Sequence, residues 1–226
     1  SFSPLAQITA SNVNQLQLAW IWPMRDGGSN QPAPLVYRGT IFVNNTDGVV
    51  QAIDARDGSL IWEYRVDAAI AMRGIALYED KVIFQSGARL IALSARTGEL
   101  EWDVAMPDGH ASSSGPLVAN GLILEGMGGC SKYEDSKCFI SAYDPATGEQ
   151  KWRFVTIALD GEPGGDTWGD LPNLYRAGGE TCRLDVVEVA EVAEEEHGSG
   201  LIGGHPVGKG GEVNAVCDHL RLVGRR

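Results

Sequence analysis

The side chains of this chain with the clearest potential for chemistry are two cysteines and a small group of carboxylates. The chain has four cysteines, too few for a disulfide scaffold, but Cys130 and Cys138 close a loop of the size that oxidised proteins staple. Glu125, Glu134 and Asp135 lie in or beside that loop, and hard cations such as Ca²⁺ prefer carboxylate oxygens. Since a charged loop residue is usually just solvated, a cation site and a solvated loop both stay open.

A sequence motif that occurs three times indicates the strands and turns that position these residues. The copies are AIDARDGSLIW, ALSARTGELEW and AYDPATGEQKW, which end at Trp62, Trp102 and Trp152. Four runs rich in Val, Ile, Phe, Tyr and Trp make up each unit, and Gly, Asp and Asn separate them. A strand repeat of this length is typical of propeller blades. The sequence therefore predicts an all-β fold: a β-propeller of about three to four four-stranded antiparallel blades in an incomplete ring.

The turn inside each copy has its own chemistry. Asp54 and Asp144 open two of the turns, where a carboxylate can accept backbone N–H bonds, and a glycine supplies the positive φ that closes each turn. The tryptophan that follows can pack on the neighbouring sheet, because an isolated blade cannot bury it. We expect these tryptophans to be docking anchors of the core.

Composition excludes several classes of function. The net charge is −12 over 226 residues, which argues against binding to nucleic acid or to anionic lipid. No apolar run approaches the roughly 20 residues of a membrane helix. No signal peptide is visible, and the opening SFSPLAQIT is expected to be mature sequence or an internal cut.

The chain divides into two parts. Residues 1–182 are predicted to form the blades with their rim loops, whereas residues 183–226 lack Phe, Tyr and Trp and form an irregular tail, either disordered or the product of a shifted reading frame. Within the first part, the Gly/Pro-rich segment 158–182 is expected to be an ordered rim loop. Its expected packing residues are Trp168, Leu171, Pro172, Leu174 and Tyr175.

Two further blocks, SPLAQIT..NVNQLQLAW and GEPGGDTWGDLP..RAGGET, complete a family resemblance. Together with the repeat, they resemble the quinoprotein alcohol dehydrogenases, which depend on pyrroloquinoline quinone (PQQ). The resemblance covers roughly residues 1–182 and implies an N-terminal fragment of an eight-bladed periplasmic propeller. It implies oxidation of an alcohol or polyol by hydride transfer to PQQ, with cytochrome c or membrane quinone as the electron acceptor.

The resemblance also implies site residues. PQQ is a flat tricarboxylated quinone that needs cations and donors, and the matching positions are Gln31, Arg73 and Ser113. All three precede the first strand of successive units, as a ring of ligand-facing residues requires. Gln31 alternatively caps a strand end, and the register of Ser113 within three serines stays open. Glu134 is the nearest match to the family's glutamate ligand of Ca²⁺ or a lanthanide, with the two other carboxylates named above as competitors.

The chain also departs from the best-known members of that family. Their adjacent cysteines before the arginine are absent from AAIAMRG, so Cys130 and Cys138 are assigned to a disulfide that staples the third-unit insertion. Cys182 stands where the family has a tryptophan. The family's catalytic aspartate lies in later blades. No residue here is therefore assigned a catalytic role, and the isolated chain is expected to be inactive.

Two other interpretations remain. One is a non-enzymatic propeller scaffold, similar to the lipoprotein of outer-membrane barrel assembly. The other is a nonfunctional fragment whose open sheet faces promote association. The EPGGDTWGDLP block, Arg73 and the cysteine-framed insertion favour the enzyme, because a scaffold needs none of them.

Overall fold

The structure is a computed structural model of the chain. It describes residues 5–24, 31, 33–45, 47–106, 109, 111–127, 130–135 and 138–177. The predicted tail at residues 183–226 lies outside the described residues, as does Cys182.

Twelve strands of the described chain form three sheets, here called blades 1 to 3. Blade 1 contains β1 (Leu35–Tyr37), β2 (Thr40–Asn45), β3 (Val49–Asp54) and β4 (Leu60–Arg65). Blade 2 contains β5 (Ala76–Tyr78), β6 (Lys81–Ser86), β7 (Arg89–Ser94) and β8 (Leu100–Ala105). Blade 3 contains β9 (Leu117–Ala119), β10 (Leu122–Gly126), β11 (Phe139–Tyr143) and β12 (Gln150–Val155). Within each blade, strands that are adjacent in sequence pair antiparallel, which confirms the predicted propeller-type blades.

The predicted turn chemistry is present between the third and fourth strands of a blade. Asp54 Oδ1 accepts the backbone N–H of Arg56 at 2.8 Å, and Asp144 Oδ1 accepts that of Ala146 at 2.8 Å. In blade 2, Ser94 takes the place of the aspartate. These side chains satisfy backbone donors that the tight turn would otherwise leave unpaired.

Two of the repeated tryptophans, Trp62 and Trp102, join their blades to the next one, and Trp20 joins the segment before blade 1 to that blade. Trp20, Trp62 and Trp102 each donate the indole N–H to a backbone carbonyl in the following turn, the acceptors being Ala55, Ala95 and Pro145. The blade interfaces are apolar. Blades 1 and 2 meet through Phe42, Val50, Trp62, Val82, Phe84 and Ile91, and blades 2 and 3 through Ile83, Leu90, Trp102, Ile123 and Tyr143. Burying each such side chain contributes about 1.5–3 kcal/mol, so neighbouring blades hold one another in place.

After β12 the chain forms a loop in which the predicted packing of Trp168 is present, because Trp168 lies against the buried cluster of Cys130, Cys138 and Ile157. Two short 3₁₀ turns cover Gly165–Trp168 and Asn173–Tyr175. Leu174 is 53% exposed and Tyr175 63% exposed, so the expectation that they pack the loop is wrong.

A buried arginine organises this loop instead. The side chain of Arg176 is 0% exposed. Its Nη1 donates to the carbonyl of Ala158 at 2.6 Å, its Nε donates to that of Leu171 at 3.2 Å, and its Nη2 pairs with the Asp160 carboxylate. One guanidinium thus joins the two ends of the loop, because its fixed fork of donors reaches several carbonyls at once. No helix within the described ranges is long and apolar enough to cross a membrane.

Candidate cofactor site

The first strands of blades 2 and 3 approach each other closely at the ends where Arg73 and Ser113 precede them. A Cβ added to Gly115 would lie 2.2 Å from the carbonyl oxygen of Gly74, so only glycine allows this approach. Both glycines follow the predicted polar positions within two residues. The backbone therefore brings side chains from two blades to one edge of the arc.

Arg73 and Ser113 are in direct contact at that edge. Arg73 Nη1 donates to Ser113 Oγ at 2.8 Å, and both residues are exposed. Elsewhere Arg56 pairs with Asp54 and Arg89 with Asp103, but no carboxylate of the described residues pairs with Arg73. Its positive charge is thus oriented by a hydroxyl and available to an anion.

The backbone of Gln31 contacts the segment that carries Arg73. Its N–H donates to the carbonyl of Met72 at 3.3 Å, directly before Arg73 in the chain, and Gln31 is exposed. The structure therefore brings the three predicted positions together, one from each of three successive units. The recorded contact of Gln31 is made by its backbone rather than by its amide side chain.

Sequence reasoning gave too little weight to Glu125. It lies on β10 and is only 1% exposed, and neither carboxyl oxygen has a hydrogen bond of standard geometry to any described residue. Burial raises the pKa of Glu125 well above its ordinary value, and the nearby Ser112 hydroxyl opposes that rise. The signal in the sequence is an acidic residue inside the apolar strand run LILEG.

The insertion between β10 and β11 forms its own small cluster. Cys130 and Cys138 are buried free thiols and pack with Ile157 in one hydrophobic group. Beside them, the Tyr133 hydroxyl donates to Asp135 at 2.7 Å, and this bond raises the pKa of Tyr133 to about 12. Asp135 is therefore engaged by a tyrosine, and the cysteine pairing stays a prediction.

Comparison with known proteins agrees with this geometry. The sequence model of the family described as "PQQ: Glucose/ethanol/alcohol dehydrogenase, beta-propeller domain" matches residues 1–179. The chain belongs to this family.

Individual proteins that are similar in sequence and structure support the same family assignment. Quinohemoprotein alcohol dehydrogenase ADH-IIG of Pseudomonas putida is 36% identical over 174 residues, which are 70% of this chain and 24% of the relative. The crystal structure of the Comamonas testosteroni quinohemoprotein alcohol dehydrogenase is 34% identical, with a TM-score of 0.58, and the match covers 68% of this chain and 25% of that one. A europium-containing methanol dehydrogenase is 26% identical, with a TM-score of 0.58 and coverage of 71% and 30%. The chain spans about a quarter of the length of such relatives.

The family's quinone and its metal fit this chain to different degrees. A hydroxyl-bound, exposed guanidinium with no carboxylate partner in the described ranges suits the carboxylates of PQQ. A metal site is not assembled: no group of three or more His, Cys, Asp or Glu side chains in the described part could hold an ion. Glu134 is half-buried in the insertion and makes an interaction of its own. The described residues thus place an exposed, hydroxyl-bound cation at the edge of the arc, and they contain no complete cation site.

Proposed function

We propose that this chain is the N-terminal propeller part of a PQQ-dependent dehydrogenase that oxidises alcohols or polyols. The observation that carries the proposal is Arg73, an exposed cation aligned by Ser113 at the meeting point of two blades. Gln31, which bonds to the residue before Arg73, is proposed as a third cofactor contact. The family match supports the cofactor class.

The residues of this chain bind and orient the cofactor. Arg73 has donors left after its bond to Ser113, and a guanidinium can bind a carboxylate with two parallel hydrogen bonds. The Ser113 hydroxyl can rotate and donate to the same anion while it accepts from Arg73. PQQ, when bound, supplies the acceptor for the hydride of the alcohol. Because the family resemblance places the catalytic aspartate in later blades, we propose that the isolated chain is inactive.

We propose Glu134 as the contribution of this chain to a Ca²⁺ or lanthanide site. The europium named in one structural relative supports a metal in this family, and the remaining ligands would come from parts of a longer protein. The change Glu134→Gln in that longer protein should weaken binding of Ca²⁺ or Eu³⁺, measured by calorimetry. The paired change Asp135→Asn should not, because Tyr133 already occupies Asp135.

The cellular setting follows from the same proposal. We place the protein in the periplasm, with cytochrome c or membrane quinone as electron acceptor. The relatives named quinohemoproteins support a haem acceptor. Fractionation of cells that express the full-length gene tests the location, and recovery in the cytoplasm would contradict it.

We further propose that Cys130 and Cys138 form a disulfide in an oxidising compartment. Both side chains lie in one buried cluster, and a small disulfide loop stabilises by roughly 2–3 kcal/mol. The two thiols would lose two protons and two electrons to an added disulfide such as oxidised glutathione. Alkylation followed by mass spectrometry should then show both cysteines protected, and full alkylation after this oxidation would contradict the pairing.

Titration of the chain with PQQ, followed by quenching of tryptophan fluorescence, tests the main proposal. Hydrogen bonds to charged groups contribute about 1.5–3 kcal/mol, so Arg73→Ala should weaken binding by roughly 10- to 100-fold. Arg96 is an exposed arginine in the blade 2 turn, and Arg96→Ala is the matched control that should leave binding unchanged. If the unaltered chain does not bind PQQ, the proposal fails and a scaffold becomes the better interpretation.

A further inference from the structure

The polar loop before β9 lies against the segment that carries Arg73, and the two backbones touch at Gly115. A Cβ built on Gly115 would lie 2.2 Å from the carbonyl oxygen of Gly74 and 2.8 Å from its α-carbon. Both atoms belong to the backbone, so they cannot rotate away as the end of a flexible side chain can. The φ of Gly115 is not positive, and a proline follows it, so alanine could adopt the same extended conformation. Only the lack of space therefore explains why a glycine is needed there.

The corresponding position of the other blades has room for a side chain. Gly115 stands two residues before the first strand of blade 3, as Gly74 does for blade 2 and Ala33 for blade 1. A Cβ at Gly74 would have nothing within 4 Å, and blade 1 carries an alanine at this point. The packing of one blade on the next thus does not itself require the close approach. Of the two described junctions, the one with this approach is the one where Arg73 meets Ser113.

The segment that carries Arg73 is held in place on both of its sides. The Ala71 N–H donates to the carbonyl of Gln85 on β6 at 2.9 Å. The Met72 carbonyl accepts the N–H of Gln31 at 3.3 Å. These two bonds fix the residues directly before the arginine, and neither of them comes from blade 3. The guanidinium therefore extends from a backbone that is anchored without the third blade.

The loop of residues 112–114, here called the serine loop, makes hydrogen bonds within itself. The Ser114 N–H donates to Ser112 Oγ at 3.1 Å, and Ser112 Oγ donates to Ser114 Oγ at 3.2 Å. Between them, Ser113 accepts the bond from Arg73 at 2.8 Å, and Gly115 directly follows the loop. The contact of Gly115 with the neighbouring backbone therefore sets how far the hydroxyl of Ser113 lies from the guanidinium.

We propose that Gly115 is a positioning residue for the anion site, because the close approach that it permits holds Ser113 within bonding distance of Arg73. The hydroxyl and the guanidinium can then bind the same carboxylate. Alanine at position 115 would have to move the two backbones apart by at least about 1 Å to reach an ordinary contact distance. A hydrogen bond of 2.8 Å that is lengthened by this amount is no longer a hydrogen bond. This inference rests on the proposed function, since it assigns Gly115 to the same site.

The first test measures PQQ binding by Gly115→Ala, by Ser113→Ala and by the variant with both changes, through quenching of tryptophan fluorescence. Each single change should weaken binding by roughly 10-fold, the lower end for loss of one hydrogen bond to a charged group. The double variant should bind no more weakly than the weaker of the two single variants, because Gly115 acts through the serine hydroxyl. A residue that only stabilised the fold would instead give independent losses that multiply.

Gly126→Ala is the matched control for this test. Gly126 ends β10 in the same blade, its φ is not positive, and a Cβ there would have nothing within 4 Å. The same chemical change should therefore leave PQQ binding at the level of the unaltered chain. If Gly115→Ala and Gly126→Ala have equal effects on binding, or if the losses in the double variant multiply, the inference fails and the proposed function stands.

A second measurement needs no cofactor and separates failure of this inference from failure of the proposed function. The NMR signals of the Arg73 guanidinium report its bond to Ser113. The indole N–H signal of Trp102 reports the packing of blade 2 on blade 3, through its bond to Pro145. Gly115→Ala should move the Arg73 signals to the positions that Ser113→Ala gives them, and it should leave the Trp102 signal unchanged.

Each outcome of the NMR experiment has one meaning. If PQQ does not bind to the unaltered chain while the signals behave as expected, the proposed function fails and the positioning role of Gly115 holds. Arg73 signals that stay unchanged in Gly115→Ala would overturn the inference. Loss of the Trp102 signal in that variant would also overturn it, because Gly115 would then serve the packing of the blades rather than the anion site.

Discussion

The indole of Trp62 lies directly on the α-carbon of Gly98, the turn glycine of the next blade. A Cβ at Gly98 would be 2.6 Å from Trp62 Cδ2, and Gly98 has a φ of +74°. The Trp62 N–H donates to the Ala95 carbonyl in the same turn at 3.1 Å. Glycine is thus required at position 98 for two reasons: the backbone is left-handed, and the Trp62 ring leaves no space for a side chain.

The change Gly98→Ala should destabilise the chain by about 2–4 kcal/mol, since it combines a left-handed alanine with overpacking against a buried ring. Urea unfolding measures the loss. Gly39 has a φ of +79° and nothing within 4 Å of its Cβ position. Gly39→Ala is therefore the control, and it should cost only the backbone part, about 1–2 kcal/mol. Equal losses would show that the contact with Trp62 contributes nothing.

The indole N–H groups of Trp102 and Trp152 differ in their hydrogen bonding, and this predicts different losses of stability when each tryptophan is replaced. Trp102 Nε1 donates to the Pro145 carbonyl at 3.0 Å, whereas Trp152 Nε1 has no partner within the described ranges. Phenylalanine at either position keeps most of the buried ring. Trp102→Phe should therefore cost about 0.5–1.5 kcal/mol more than Trp152→Phe, measured by urea unfolding of the two variants. A larger loss for Trp152→Phe would contradict this explanation.

The blades could be predicted from the sequence because the information is local. Asp54 and the glycine four residues later act within one turn, and strand alternation is visible over a few residues. The regular recurrence of the motif along the chain then predicts that the same four-stranded sheet is repeated. The same logic predicted that the tryptophans pack between blades, since a blade with one apolar face needs a neighbour.

The site could be predicted only in part, because its contacts depend on how blades face each other. The sequence places Arg73 and Ser113 at equivalent points, but their bond depends on the close approach of Gly74 and Gly115. The resemblance, rather than spacing, selected these residues. The burial of Glu125 depends on the packing of two sheets, which a single strand pattern does not reveal.

The rim loop shows the same limit and provides a third prediction. Leu174 and Tyr175 are exposed, and Arg176 holds the loop through the carbonyls of Leu171 and of Ala158, which is 18 residues away in sequence. Arg176→Met should therefore open the loop and speed proteolytic cleavage within residues 158–176 by at least about tenfold, because buried carbonyls lose their donors. Asp160→Asn is the control: the Asp160 side chain is 68% exposed, and exposed ion pairs contribute about 0–1 kcal/mol. Similar cleavage rates in both variants would mean that Arg176 does not hold the loop.

The turn of blade 1 predicts an unusually acidic carboxyl. The side chain of Arg56, and then its backbone N–H, donate to Asp54 and lower the pKa of that carboxyl to about 2. The contribution of this charge to stability is present above the unfolded pKa and is lost as the pH falls through the folded one. Arg56→Ala should raise the pKa of Asp54 only part of the way to its ordinary value, because the backbone donor remains. Carboxyl NMR titration measures the shift, and Arg96→Ala should not produce it. Since the Arg56 side chain is 86% exposed, salt should screen the difference between the variants, and a salt-independent difference would show that the backbone bond, rather than the guanidinium, had changed.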